Sequence, residues 1–238
     1  MSLYDIRATG MNQGGNEMMD GILYGLGVGP GDPELITVKA LRIMEKADVI
    51  ACPARGASPG IAYQIAEQAC PAISIKEILL LDFPMEKGDL GLAHQKAAEC
   101  LMEKLREGRS VAFLTLGDPA FYSTFSYISD FIRDKGYPVE MISGVTSFSA
   151  AAARLLIPIA FGDEPVLITT GEIRDFDGTL VVMKAGRNLK SLKEKIEGNG
   201  KKAYLVENCG MPDERVYSGI ETIPDQAGYF SILIVKRG

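Results

Sequence analysis

Three short stretches of the 238-residue chain combine glycine with residues able to hold a small polar ligand. They are Gly25-Leu26-Gly27-Val28-Gly29-Pro30-Gly31-Asp32-Pro33, Thr115-Leu116-Gly117-Asp118-Pro119 and Ser143-Gly144-Val145-Thr146-Ser147. Glycine lets a backbone come close to a ligand and offer its N–H and C=O groups. Asp118 adds a carboxylate that can accept hydrogen bonds from a ribose or an ammonium. The first stretch is not a dinucleotide fingerprint. G-x-G-x-x-G fails in both registers, with Pro30 or Asp32 where its last glycine belongs, and no G-x-x-x-x-G-K follows any strand. Each stretch also has a plainer reading: Gly-Asp-Pro is a common turn, and Thr146 or Ser147 would cap a helix whatever the function.

Position in the chain weighs against three unrelated turns. Ile22 to Val28, Asp48 to Ala51 (stopped by Pro53), Ile75 to Leu80, Ser110 to Leu116 and Pro138 to Ile142 read as buried strands. Leu35 to Lys46, Pro59 to Ala69 (opened by Ser58 and Pro59), Leu92 to Arg106, Phe121 to Lys135 and Thr146 to Leu156 carry helical spacing. This βαβ alternation predicts a doubly wound, mostly parallel sheet, and the glycine stretches fall at one end of its strands, where open α/β sheets bind ligands. Beyond Pro158 the texture is β-rich, at Val166 to Thr170, Thr179 to Met183, Ala203 to Glu207, Arg215 to Ser218 and Tyr229 to Val235, with one helix at Leu189 to Glu197. We therefore expect a disordered lead-in over 1–20, an N-terminal α/β lobe over 21–158, a mixed α/β lobe over 159–238, and a ligand in the crevice between the lobes.

Composition narrows the partners. With 25 basic against 31 acidic residues the chain has no global field for nucleic acid, although a local cluster can still hold a polyanionic small molecule. Cys52, Cys70, Cys100 and Cys209 form no C-x-x-C pair, and only His94 could supplement them, so neither a disulfide framework nor a protein-held metal is expected. His94 itself reads as a surface or capping residue. The first twenty residues lack a signal peptide's apolar and basic regions, and no apolar run reaches spanning length. A cytoplasmic protein, with no membrane partner, is the expectation.

At these loops the sequence resembles the tetrapyrrole methylase family. Its G-x-G-P-G-D-P-E-L-[IL]-T loop matches Gly27 to Thr37, its G-D-P loop Gly117 to Pro119, and its P-G-[VI]-[TS]-S loop Ser143 to Ser147, with serine where the family usually has proline. The resemblance runs from about Ile22 to Arg237. Within the family, Thr115 to Thr124, Gly144 to Ala152, Val182-Met183-Lys184 and Val206 to Met211 look most like the branch that methylates C(20) of precorrin-2 or cobalt-factor II in cobalamin biosynthesis. The resemblance implies two αβα lobes and an S-adenosylmethionine pocket built by Pro30, Leu116, Gly117, Asp118, Phe121, Thr146, Ser147, Met183 and Cys209, mostly through backbone groups. Relatives often have a smaller residue at the position of Cys209. It also implies a homodimer and release of S-adenosylhomocysteine.

Methyl transfer from a sulfonium is an in-line displacement that needs alignment and exclusion of water rather than a protein nucleophile. A general base is not identifiable by sequence; Tyr122 and Asp118 are the polar candidates, with Asp118 the better suited to holding its loop. Arg55 and Lys184 lie in loops that could meet the carboxylates of a tetrapyrrole. Three rivals stand beside this assignment: a methylase of the same family with another ring position or acceptor, a nicotinamide-dependent oxidoreductase, and a non-catalytic nucleotide-binding module.

Overall fold

The computed structural model describes residues 21–83, 90–197 and 200–237; the expected lead-in over 1–20 lies outside them. The first half of the chain runs β1 (Leu23–Gly27), α1 (Val38–Lys46), β2 (Val49–Arg55), β3 (Ser58–Pro59), α2 (Ile61–Ala69), β4 (Glu77–Asp82), α3 (Leu90–Arg106), β5 (Val111–Thr115), α4 (Thr124–Asp134), β6 (Val139–Ile142) and α5 (Ser147–Leu155). The second half runs β7 (Val166–Thr170), β8 (Thr179–Met183), α6 (Leu189–Ile196), β9 (Lys202–Glu207), β10 (Arg215–Ser218) and β11 (Ser231–Lys236).

Strands β4, β2, β5, β1 and β6 form a parallel sheet, joined only by the short antiparallel β3. Strand alternation sorts its side chains into two cores. Leu26, Ile50, Cys52, Ala112 and Leu114 pack with Met44 of α1 and Ile65 of α2. Leu23, Val49, Ala51, Val111 and Phe113 pack with Leu101 of α3 and Phe125 and Ile128 of α4. The second sheet has the order β10-β9-β11-β8-β7 and is antiparallel except for the β7–β8 pair. One face meets Leu192 and Ile196 of α6, and the other meets Phe148, Ala150 and Ala151 of α5. Two αβα lobes result, one parallel and one mixed.

Four local expectations change. β2 does not stop at Pro53: its carbonyl accepts from Gly60 N–H at 3.1 Å, and the strand keeps its register with β4 to Ala54. A proline is tolerated where its missing N–H is not needed. Ser58 and Pro59 form β3 instead of capping α2, whose N-cap is Gly60. The first helix starts late, at Val38 behind the Thr37 cap, because a 3-10 turn occupies Pro33–Leu35. Helix α4 also starts late, at Thr124, since Tyr122 has φ +48° and Ser123 takes the cap. His94 stacks on Tyr127 of α4 at 5.0 Å.

A chain division at 158/159 remains a proposal drawn from composition. By packing, however, α5 belongs to the second sheet, where its small side chains allow close approach. Ala151, fully buried there, sets a test. Ala151→Leu should lower unfolding stability by about 1–3 kcal/mol through overpacking, whereas Ala153→Leu, exposed on the same helix, should stay within about 0.5 kcal/mol. Urea unfolding followed by circular dichroism reads both. Equal effects would contradict the packing of α5 on this sheet.

Candidate functional site

The three glycine stretches meet at the carboxyl ends of β1, β5 and β6. Gly29 and Gly117 exchange backbone hydrogen bonds, Gly117 N–H to Gly29 O at 2.7 Å and Gly29 N–H to Gly117 O at 3.3 Å. A Cβ on Gly144 would stand 2.2 Å from Gly117 O, and one on Gly27 would stand 2.6 Å from the same oxygen and from Gly144 Cα. No side chain fits at Gly27 or Gly144, which explains glycine there better than turn geometry does, whereas Gly117, whose Cβ would come no closer than 3.9 Å to its neighbours, is required by its φ of +76°. Asp118 locks the arrangement. It is 8% exposed, its Oδ1 accepts from Ala120 N–H at 2.7 Å, and its Oδ2 accepts from Gly144 N–H at 2.9 Å.

A second joint ties the first loop to the other lobe. A Cβ on Gly31 would stand 2.4 Å from Cys209 O. The Cys209 loop is held in turn by Glu214, whose Oε2 accepts from Gly210 N–H at 2.6 Å and from Arg154 Nε at 3.2 Å. Tyr122 bridges the lobes too: its hydroxyl donates to the Ile168 carbonyl of β7 at 3.0 Å.

Between these joints lies a cavity of about 280 Å³. Pro30 of the first loop lines it, as do Leu116, Gly117 and Asp118 of the second and Thr146 and Ser147 of the third. The second lobe adds Met183 and Cys209, and Phe121 lies against Phe148 at the wall, ring centroids 5.2 Å apart. The structure thus brings together all nine residues anticipated for the cofactor. Thr146 Oγ1 is engaged with Ser149, accepting from its N–H at 3.3 Å, so Thr146 meets the cavity as a helix cap.

Lys184 lines the same cavity from a left-handed conformation (φ +56°), its ammonium 5.5 Å from the centre of the Tyr229 ring. Arg55 closes β2, and its side chain lies outside what is described. Of the two polar candidates for proton transfer, Tyr122 is committed to Ile168 and Asp118 to two backbone N–H groups. Both are built as clamps.

Pro53, Phe113, Thr115, Ser123, Thr124 and the Tyr229–Ile232 stretch also line the cavity, and none was singled out as a site residue by sequence. A signal existed for two: Phe113 and Thr115 share a face of a strand that ends in the second glycine loop. Burial pushes the Cys209 thiol up to about 11, and Cys52 likewise to about 11. All four cysteines are free, and only Cys100 is exposed. Among the described residues no cluster of three or more His, Cys, Asp or Glu is placed to hold a metal ion, and no helix is long and apolar enough to cross a membrane.

Comparison with known proteins places this geometry in context. A family model described as tetrapyrrole (corrin/porphyrin) methylases matches residues 22–223. The chain is 36% identical over 230 residues to a protein of Methanocaldococcus jannaschii named probable cobalt-precorrin-2 C(20)-methyltransferase, covering 90% of this chain and 96% of that one. It is 30% identical to the precorrin-2 C(20)-methyltransferase of a Sinorhizobium species, over 90% of this chain and 95% of the relative. Uroporphyrin-III C-methyl transferase from Thermus thermophilus, solved in complex with S-adenyl homocysteine, has the same fold. Its TM-score is 0.65 at 20% identity, with 91% of this chain and 97% of that one covered.

Two measurements check the site as built. Gly144→Ala should cost about 3 kcal/mol or more, the upper range for overpacking, because the new Cβ meets backbone that cannot rotate away. Gly228→Ala, whose Cβ would meet nothing within 4 Å, is the control and should change stability by less than about 0.5 kcal/mol. Brief treatment with N-ethylmaleimide at neutral pH should label Cys100 alone in the folded protein and all four cysteines after unfolding, since a thiol raised to about 11 holds almost no thiolate. Rapid labelling of Cys209 in the folded protein would refute its burial.

Proposed function

Because the chain belongs to the tetrapyrrole (corrin/porphyrin) methylase family, we propose that it transfers a methyl group from S-adenosylmethionine to C(20) of precorrin-2 or its cobalt-bearing counterpart in cobalamin biosynthesis. It is an S-adenosylmethionine-dependent C-methyltransferase. The observation that carries this reading is a single cavity at the strand ends, walled by the backbones of all three glycine loops and closed from the second lobe by Met183 and Cys209. Two relatives of nearly the same length, both named for C(20) methylation, support that ring position over others in the family.

The residues present suit such a cofactor. The Leu116–Asp118 and Thr146–Ser147 loops bring backbone to the cavity wall without side-chain movement, while Phe121 and Met183 supply apolar walls. At about 280 Å³ the cavity is near the lower end of small-molecule pockets, about 300–1,000 Å³. We place the cofactor in it and the macrocycle across the mouth between the lobes, and assign Lys184 and Arg55 to the macrocycle's carboxylates. Bound there, the sulfonium supplies an electrophilic methyl group. The chain's part is to hold donor and ring carbon in line and to keep water out. Asp118 works as the clamp of its loop, not as a base.

A homodimer is the assembly we propose, and the exposed pair Tyr127 and Phe131 on successive turns of α4 is the sort of surface a second copy would cover. A cytoplasmic location agrees with four unpaired cysteines.

Anaerobic incubation of labelled S-adenosylmethionine with precorrin-2 and, separately, with cobalt-factor II should add one methyl group to one or both, read by mass. The ratio of the two rates assigns the physiological acceptor. Transfer to neither, with S-adenosylhomocysteine still bound, would overturn the C(20) assignment and direct the search to other acceptors of the family.

A further inference from the structure

Thr115 ends β5, and strand alternation decides where its side chain points. Phe113 and Thr115 both line the cavity, whereas Leu114 between them packs into the core beneath α1 and α2. Positions 113 and 115 therefore share the face of β5 that packs against α3 and α4 and borders the cavity, and 114 faces away. Thr115 is 8% exposed, and its Oγ1 is the only buried side-chain nitrogen or oxygen among the described residues without a hydrogen-bond partner. Native proteins leave a buried hydroxyl open mainly where something else completes the bond.

The surroundings define what that something is. The N-terminus of the eleven-residue helix α4 lines the same cavity as Thr115, through Ser123 and Thr124. Ser123 Oγ accepts from Phe125 N–H at 3.0 Å, which leaves the Ser123 O–H as a donor. A helix N-terminus carries partial positive charge, and Lys184 brings a full one to the same cavity. The acidic residue on the wall, Asp118, is offset by the two N–H groups on its oxygens. Hydroxyl donors, a helix N-terminus and a cation together favour an anionic oxygen.

We infer that Thr115 Oγ1 donates a hydrogen bond to a ligand carboxylate, which makes it a binding residue additional to the backbone-contacting set. The inference rests on the methyl-transfer reading. Two ligands then bring carboxylates: the cofactor at its amino-acid end and the macrocycle on its side arms.

Thr115→Val removes the hydroxyl at nearly constant shape, and Thr115→Ser keeps it. Calorimetric titration of both variants and the wild type reads affinity without turnover. The probes are S-adenosylhomocysteine, 5′-methylthioadenosine, which lacks the amino-acid carboxylate, and sirohydrochlorin. Thermal unfolding of the free protein reads stability alongside. Thr115→Val should lose about tenfold or more in affinity for one carboxylate ligand while Thr115→Ser stays within about threefold, and free Thr115→Val should melt no lower than wild type. Weakened S-adenosylhomocysteine with unchanged methylthioadenosine assigns the carboxylate to the cofactor; weakened sirohydrochlorin alone assigns it to the macrocycle. An equal loss for methylthioadenosine, unchanged affinity for all three probes, or a lowered melting point with intact binding overturns the inference and leaves the methyl-transfer reading standing. A wild type that binds none of the three overturns both.

Discussion

Three backbones in mutual contact at the strand ends, two of them with no room for a side chain, set the geometry of this molecule. Gly27, Gly117 and Gly144 come from the ends of three different strands, and their mutual approach leaves no space for a Cβ on Gly27 or Gly144. Hydrogen bonding alone would not hold them, because neutral backbone bonds contribute only about 0.5–1.5 kcal/mol each. Asp118 supplies the stronger tie, a buried carboxylate accepting from the loop after β6 as well as from its own turn. That tie acts at long range. The loop it holds leads directly into α5, and α5 lies on the second sheet, so the clamp on Gly144 also sets where the second lobe begins. The Gly31–Cys209 contact closes the opposite side, and the cavity is the space left between two joints.

Backbone conformation marks the same place. Four non-glycine residues among those described have positive φ, and three of them, Tyr122, Lys184 and Asn208, sit at or beside the cavity loops. Such conformations cost about 1–3 kcal/mol each and persist only where surroundings over-determine them. Here the restraints are visible: Tyr122 is tied to Ile168, Lys184 lies over Tyr229, and Asn208 is bonded through its side chain to Asp213 at 2.6 Å. The fourth, Leu156, simply ends α5.

Local signals made much of this legible in the sequence. Alternating strand residues and helical spacing located most elements of the parallel sheet, and the crowding of glycine at strand ends pointed to the crevice. Where the sequence misled, a partner distant in the chain decided the outcome. Pro53 looks like a strand stop until β4 is alongside, and Ser58 and Pro59 look like helix caps until β2 offers them an edge. Composition changes after Pro158, and α5, just before that change, packs its alanines on the second sheet. Thr115 was hidden for a different reason. Threonine is an ordinary strand residue, and only the absence of any partner for its hydroxyl distinguishes it.

The chemistry proposed for the site gives this style of construction a rationale. A methyl sulfonium alkylates exposed nucleophiles, so a pocket that holds one is safest when built from backbone amides, hydroxyls and hydrocarbon. Much of the cavity wall conforms, and among the nucleophilic side chains on it the Asp118 carboxylate is occupied by two N–H groups. Cys209 is the thiol among them, and burial holds it near 11, where it stays protonated at neutral pH and is a poor nucleophile. Lys184 is the amine, and its ammonium lies 5.5 Å from the centre of the Tyr229 ring. Glycine loops thus do more than admit the ligand closely. They let the protein meet a reactive group largely with backbone atoms that are poor nucleophiles, and the few side chains that line the cavity, Thr115 among them, are what is left to discriminate between ligands.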